Sequence, residues 1–126
     1  MAVVAVDELR ATHSDVPPLE DCDEAKVRSA LAQPFQSAGG IDAYPDDASQ
    51  LGAFVYFLAK SHMCWTGAKR VTAALTLAML GYSGCWLITS PDELADVITG
   101  CAVSDPADIS ATLEWAQKWA ASAIAC

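Results

Sequence analysis

An uncharged run of 18 residues, from Val71 to Ile88, constrains the fold of this chain more than any other feature. A helix needs about 20 apolar residues to cross a bilayer, so the run raises the question of a membrane span. Gly81 and Gly84 bracket a turn-forming stretch inside it, and a turn at membrane depth would leave backbone groups without hydrogen-bond partners. The pattern therefore predicts a buried helix followed by a short extended segment, Cys85 to Thr89.

Signals for helix starts occur at several other places. Ser90-Pro91-Asp92-Glu93 combines a cap residue, a proline at the first helical position and a glutamate three residues after the cap. Asp105-Pro106 repeats this arrangement for a last helix, and Asp21-Cys22-Asp23-Glu24 begins another that Pro34 ends. A short first helix is predicted at Asp7. The apolar face predicted for the last helix holds Ile109, Leu113, Ala116, Ala120 and Ile124.

Two central helices are predicted, over Asp46–Ser61 and Gly67–Gly81. Both are apolar nearly all round, so other helices must surround them. We therefore predict an all-α bundle of six or seven helices that forms a single domain over residues 1–126. Between Phe35 and Tyr44, the pair Gly39-Gly40 is compatible with a short β-hairpin and with a plain interhelical loop. The inward residues predicted for the first central helix are Leu51, Phe54, Val55 and Leu58.

The charge balance bears on the class of partner. The chain has 7 basic and 16 acidic residues and a net charge of −9, which argues against nucleic acid or an anionic membrane as the main partner. A small acidic protein can nonetheless mimic nucleic acid in a basic groove of another protein. The N-terminal residues lack a basic segment and reach Asp7 early, so we expect no signal peptide and a cytoplasmic location.

Five cysteines occur with no Cys-x-x-Cys and no pairing with histidine at zinc spacing. This spacing indicates neither a disulfide framework nor a metal site, so reduced thiols are expected. The cysteines are Cys22, Cys64, Cys85, Cys101 and Cys126.

The stretch from His62 to Arg70 concentrates the candidate functional residues. Of the seven basic residues, three (Lys60, Lys69 and Arg70) lie within eleven positions of the chain. Lys69 and Arg70 fall at a predicted helix start, where the macrodipole and free N–H groups favour an anion. The spacing is compatible with a phosphate-binding site and equally with two solvated residues of a first helical turn.

This stretch, His-Met-Cys-Trp-Thr-Gly-Ala-Lys-Arg, resembles a degenerate Fic/Doc signature, His-x-Phe-x-Asp/Glu-Gly/Ala-Asn-Gly/Lys-Arg, in its Doc (death-on-curing toxin) form. The resemblance implies transfer of a phosphoryl or nucleotidyl group from ATP or another nucleotide to a protein hydroxyl. It assigns His62 as the general base and Gly67 as the residue whose backbone leaves space for the phosphates. Lys69 and Arg70 are assigned as phosphate ligands. It also implies a protein target such as a translation factor, a partner antitoxin, and a β flap for which 35–44 is the candidate.

Three positions depart from that signature: Cys64 replaces Phe, Thr66 replaces the acid and Ala68 replaces Asn. Loss of the carboxylate predicts weak Mg²⁺ binding, because Mg²⁺ is normally held by carboxylates together with substrate phosphates. Asp46 or Asp47 is the alternative acidic residue for holding the metal ion.

Three functions therefore stay open. The first is a Doc-like transferase with impaired catalysis, and the second is a pseudoenzyme that retains the fold. The third is an interaction protein that blocks a partner through its acidic surface, such as a phage-type inhibitor, an anti-CRISPR protein or an antitoxin-binding module. Trp115 and Trp119, four residues apart on the last helix, are expected in the core or at a partner surface.

Overall fold

The computed structural model of the chain describes residues 23–38, 40–62 and 68–126. This part is mostly helical, which confirms the predicted all-α class. Two short antiparallel strands lie in the segment that the sequence left open between hairpin and loop. The helices are α1 Glu24–Ala32, α2 Asp47–Ser61, α3 Ala68–Tyr82, α4 Pro91–Val103 and α5 Ile109–Ala123, with 3₁₀ turns at Gln33–Phe35 and Pro106–Asp108. The antiparallel strand pairs are β1 Ser37–Ala38 with β2 Ile41–Asp42, and β3 Trp86–Leu87 with β4 Ile124–Ala125.

Helix α2 lies at the centre of the bundle and contacts each of the other four helices. Its start is fixed by a capping box: the Asp46 carboxylate accepts from the Ser49 N–H at 2.7 Å, and Ser49 Oγ accepts from the Asp46 N–H at 3.3 Å. The prediction that α2 is enclosed is confirmed. Its four predicted inward residues, Leu51, Phe54, Val55 and Leu58, are at most 1% exposed.

Helix α3 is enclosed less completely than the sequence predicts. It contacts α2 and α4 and buries Val71, Leu75 and Leu80, but Leu77 on the same helix is 50% exposed. The prediction that other helices surround α3 is therefore wrong at Leu77, within the described residues.

The predicted caps of α1 and α4 are confirmed. The Asp23 carboxylate accepts from the backbone of α1, and Ser90 Oγ accepts from the Glu93 N–H at 3.1 Å at the start of α4. The helix predicted at Asp7 lies outside the described residues.

The buried face of α5 matches the predicted one in part. Ala116 and Ala120 are buried as predicted, but Ile109 is 42% exposed and Ile124 lies in β4 rather than in the helix. Of the two tryptophans expected in the core or at a partner surface, Trp119 is buried and Trp115 is 46% exposed. The backbone of α5 approaches α2 closely, because a Cβ on Gly52 would lie 2.6 Å from backbone atoms of Gln117.

The expectation of five reduced thiols is wrong for Cys85 and Cys126, which form a disulfide. Cys101 is free and buried, and Cys22 and Cys64 lie outside the described residues. The disulfide closes a segment that contains α4 and α5, so an entropic model gives about 4 kcal/mol of stabilisation for a loop of this size.

Among the helices described here, none combines the length and the apolar character that crossing a membrane requires. The 18-residue uncharged run instead divides into α3, a turn and β3.

Candidate functional site

Two of the predicted phosphate ligands lie at the start of α3. Lys69 and Arg70 are exposed residues of its first turn. Both also line a groove between α3 and α4. The helix macrodipole disfavours cations at this end of a helix, so two cations here gain most when an anion is bound beside them.

The groove has a volume of about 380 Å³ and a predominantly apolar lining. This volume falls in the range of small-molecule sites, roughly 300–1,000 Å³. The two cations therefore stand beside an apolar cleft, an arrangement that suits a ligand with an anionic group and an apolar body. Besides Lys69 and Arg70, the groove is lined by Ala73, Leu77, Leu87, Thr89, Ser90, Pro91, Leu94, Ala95 and Ile98.

The hydroxyls in the groove already have internal partners. Thr89 Oγ1 donates to Glu93 Oε2 at 2.8 Å, and Ser90 Oγ accepts from the Glu93 N–H. These bonds hold the start of α4 in place. Lys69 and Arg70 are the cationic residues that line the groove.

His62, the predicted general base, is exposed and forms the C-cap of α2. Its backbone is left-handed, with φ +47° and ψ 44°. Histidine tolerates this region better than most residues, but glycine adopts it with less strain. A histidine at a position where glycine would be more stable is compatible with a side-chain role there.

The remaining motif positions are only partly described. Cys64, Thr66 and Gly67 lie outside the described residues, and Ala68 is the first residue of α3. The structure thus places His62 at the end of one helix and Lys69 and Arg70 at the start of the next.

Three other residues suggested by the sequence, Lys60, Asp46 and Asp47, are positioned elsewhere. Lys60 Nζ donates to the carbonyl oxygen of Ser104, just after α4, where a cation stabilises the negative end of the helix. Asp46 and Asp47 lie at the opposite end of α2 from His62, and 15 helical residues separate those ends by about 22 Å. Neither carboxylate can hold a metal ion beside His62, so that alternative is wrong.

The apolar half of the groove was not predicted from the sequence. Leu77 belongs to a helix that was predicted to be enclosed, and Leu94, Ala95 and Ile98 received no functional assignment. No local signal in the sequence marked these residues as one wall of a groove.

The buried thiol of Cys101, near Lys60, has a raised pKa. Burial raises the pKa of the Cys101 thiol to about 11, and the nearby Lys60 ammonium opposes this shift in part. Burial, together with Cys101, also raises the pKa of Tyr56. A thiol held neutral in this way is a poor nucleophile, so these residues belong to the core.

Comparison with models of known protein families, with curated proteins and with solved structures found no match for this chain. The resemblance to the Fic/Doc family therefore rests on the motif residues.

Proposed function

We propose that the protein binds a nucleotide in the groove between α3 and α4, as a Doc-like transferase whose catalysis is impaired. The observation that carries this proposal is the position of Lys69 and Arg70, two exposed cations on a helical first turn that also line an apolar groove. The phosphates contact these cations, and the base and ribose lie against Leu77, Leu94 and Ile98.

Binding is tested by calorimetry with ATP, with and without Mg²⁺. Lys69→Ala and Arg70→Ala each remove a charge-assisted contact, so each is expected to weaken binding about 10-fold, which corresponds to about 1.4 kcal/mol. Lys26→Ala is the matched control, because Lys26 is an exposed lysine of α1 that does not line the groove. Absence of ATP binding in both conditions, or equal losses in all three variants, would contradict the proposal.

Impaired transfer follows from the residues that replace the Fic/Doc acid and amide, Thr66 and Ala68. Charge that develops during phosphoryl transfer is normally stabilised by a fixed divalent cation. We expect slow transfer by the wild-type chain and faster transfer by Thr66→Asp/Ala68→Asn. Replacing His62 by Ala in the restored background should remove the gain, since a general base typically contributes about 10²–10⁴-fold. Labelled ATP and a translation factor provide the assay.

An interaction protein is the second candidate function. The observation that favours it is an exposed apolar strip formed by Trp86 of β3, which is 58% exposed, and Ile88 just after this strand, which is 70% exposed. The Ile88 N–H donates to the Ala123 carbonyl at 2.7 Å and extends the ladder with β4, so these two side chains point to the same face. Together with a net charge of −9, this strip suits a basic protein partner.

The two candidates are separated by variants that affect one site at a time. The interaction protein is supported if the His62→Ala and Arg70→Ala variants keep the effect of the protein on cells and the Trp86→Ser/Ile88→Ser variant loses it. The opposite pattern supports the nucleotide site.

A further inference from the structure

We propose that Cys85, Cys126 and Asp47, when the disulfide is reduced, form a zinc site that is distinct from the nucleotide groove. Their ligand atoms all lie within 4.8 Å of one another. Two thiolates and a carboxylate belong to the ligand set that Zn²⁺ prefers in proteins.

Three separate elements bring these residues together. Strands β3 and β4 pair Trp86 with Ala125 and Leu87 with Ile124, and the same register continued by one step sets Cys85 opposite Cys126. Asp47 comes from the first turn of α2. The preceding residue, Asp46, provides the helix cap, so Asp47 is not needed for that role.

The position of Asp47 is not explained by the disulfide alone. Its Oδ2 lies 3.7 Å from Cys126 Sγ, and an oxidised sulfur has no proton to donate to it. Asp47 forms no ion pair with a cation of the described residues. A carboxylate directed at two sulfurs gains a strong partner when a divalent cation lies between them.

The surroundings leave room for a fourth ligand. A cavity of about 40 Å³ adjoins the cluster and is lined by Asp47, Cys85, Met79 and Ser83, among others. A single water needs roughly 10–15 Å³, so a water can complete a tetrahedral site. With zinc–sulfur bonds of about 2.3 Å, two thiolates on one zinc lie roughly 3.8 Å apart, so the sulfurs must separate when the disulfide is broken.

An external dithiol gives two electrons and two protons to the disulfide, which becomes two thiols while the dithiol becomes a disulfide. Zn²⁺ then displaces the two thiol protons and binds both thiolates together with the Asp47 carboxylate. The protein therefore alternates between a covalent and a metal link between β3 and β4.

The experiment compares oxidised and reduced protein in a background in which Cys22 and Cys64, the cysteines outside the described residues, are serine. Zinc is titrated against a chromophoric chelator, and cobalt(II) serves as a spectroscopic probe for metal–thiolate bonds. Reduced protein is expected to bind one equivalent of zinc and to show cobalt–thiolate charge-transfer absorption. Oxidised protein is expected to do neither.

Asp47→Asn tests the third ligand and leaves both cysteines in place. It should weaken zinc binding by at least about 10-fold, whereas Asp92→Asn, which alters another exposed first-turn aspartate, on α4, should leave it unchanged. Equal zinc affinity of oxidised and reduced protein would overturn the proposal, and so would an Asp47→Asn variant that binds zinc as tightly as its parent. Both comparisons keep Cys85 and Cys126 and are made within one background, so any effect of the Cys22 and Cys64 substitutions on folding is shared by the proteins compared.

Discussion

Helices α2 and α3 look alike in sequence but occupy different environments. Each has 15 residues, most of which are apolar. Yet α2 contacts four helices, whereas α3 contacts α2 and α4 and leaves Leu77 half exposed. The apolar surface that α2 buries stabilises the fold, while the open face of α3 becomes one wall of a groove. Similar apolar helices can therefore serve stability in one place and binding in another.

Truncation of a leucine on each helix should show the largest difference. Leu58 on α2 is 1% exposed, so Leu58→Ala is expected to lower the free energy of unfolding by about 2–5 kcal/mol. Leu77 on α3 is 50% exposed, and Leu77→Ala should lower it by less than about 1 kcal/mol, as for most surface substitutions. Urea unfolding of the two variants measures both losses in the free energy of unfolding. Similar losses would mean that the face of α3 is buried in solution.

Glycine replacement on the same two helices should give effects of opposite sign. A Cβ on Gly52 would lie 2.6 Å from Gln117 backbone atoms, so Gly52→Ala is expected to destabilise by about 1–3 kcal/mol. A Cβ on Gly81 of α3 meets nothing within 4 Å, so Gly81→Ala should stabilise by about 0.4–1 kcal/mol. Thermal unfolding of the Gly52→Ala and Gly81→Ala variants measures the two changes in stability. A stabilising Gly52→Ala would contradict the close contact between α2 and α5.

Burial of Cys101 on α4 should also affect stability at high pH. The pKa of Cys101 is raised to about 11 in the folded protein, whereas an unfolded thiol titrates near 8.5. Between these values the unfolded chain loses a proton that the folded protein keeps, so stability that is present below about pH 8.5 is lost as the pH rises.

Over this range, the wild type should lose on the order of 1 kcal/mol more than Cys101→Ala. Denaturant unfolding at the two ends of the range provides the measurement. Parallel pH profiles for the two proteins would show that Cys101 is accessible to solvent.

The junction between the two helices should give the smallest effect. His62 has φ +47°, and glycine relieves that strain, so His62→Gly is expected to stabilise by about 1 kcal/mol. His62→Ala keeps the strain and is the control. A destabilising His62→Gly would show that the imidazole contributes to the fold rather than to a function.

Local signals predicted much of the fold. Ser90 and Asp23 define helix starts through hydrogen bonds to nearby backbone groups, and these starts are confirmed. The inward residues of α2 were also predicted, because Leu51, Phe54, Val55 and Leu58 recur at helical spacing on one face. The hairpin of β1 and β2 depended on a turn that the Gly39-Gly40 pair allowed without requiring it.

Features that depend on contacts between distant elements were not predicted. Cys85 and Cys126 are 41 residues apart, and only the pairing of β3 with β4 brings them together. The open face of α3 depends on how many helices pack against it, which its own composition does not encode. The cationic half of the candidate site, Lys69 and Arg70, was visible as a local cluster, whereas the apolar half needed the position of α4.

The most direct test of the groove as a binding site is an NMR titration of ¹⁵N-labelled protein with ATP. The expected result is a set of saturable amide shifts confined to the two walls of the groove, at Lys69, Arg70 and Ala73 on α3 and at Ala95 and Ile98 on α4. Amides of the enclosed helix α2 near Leu51 should stay unchanged. Absence of shifts at near-saturating ATP, or shifts that cluster away from α3 and α4, would contradict the proposal that the open face of α3 binds a nucleotide.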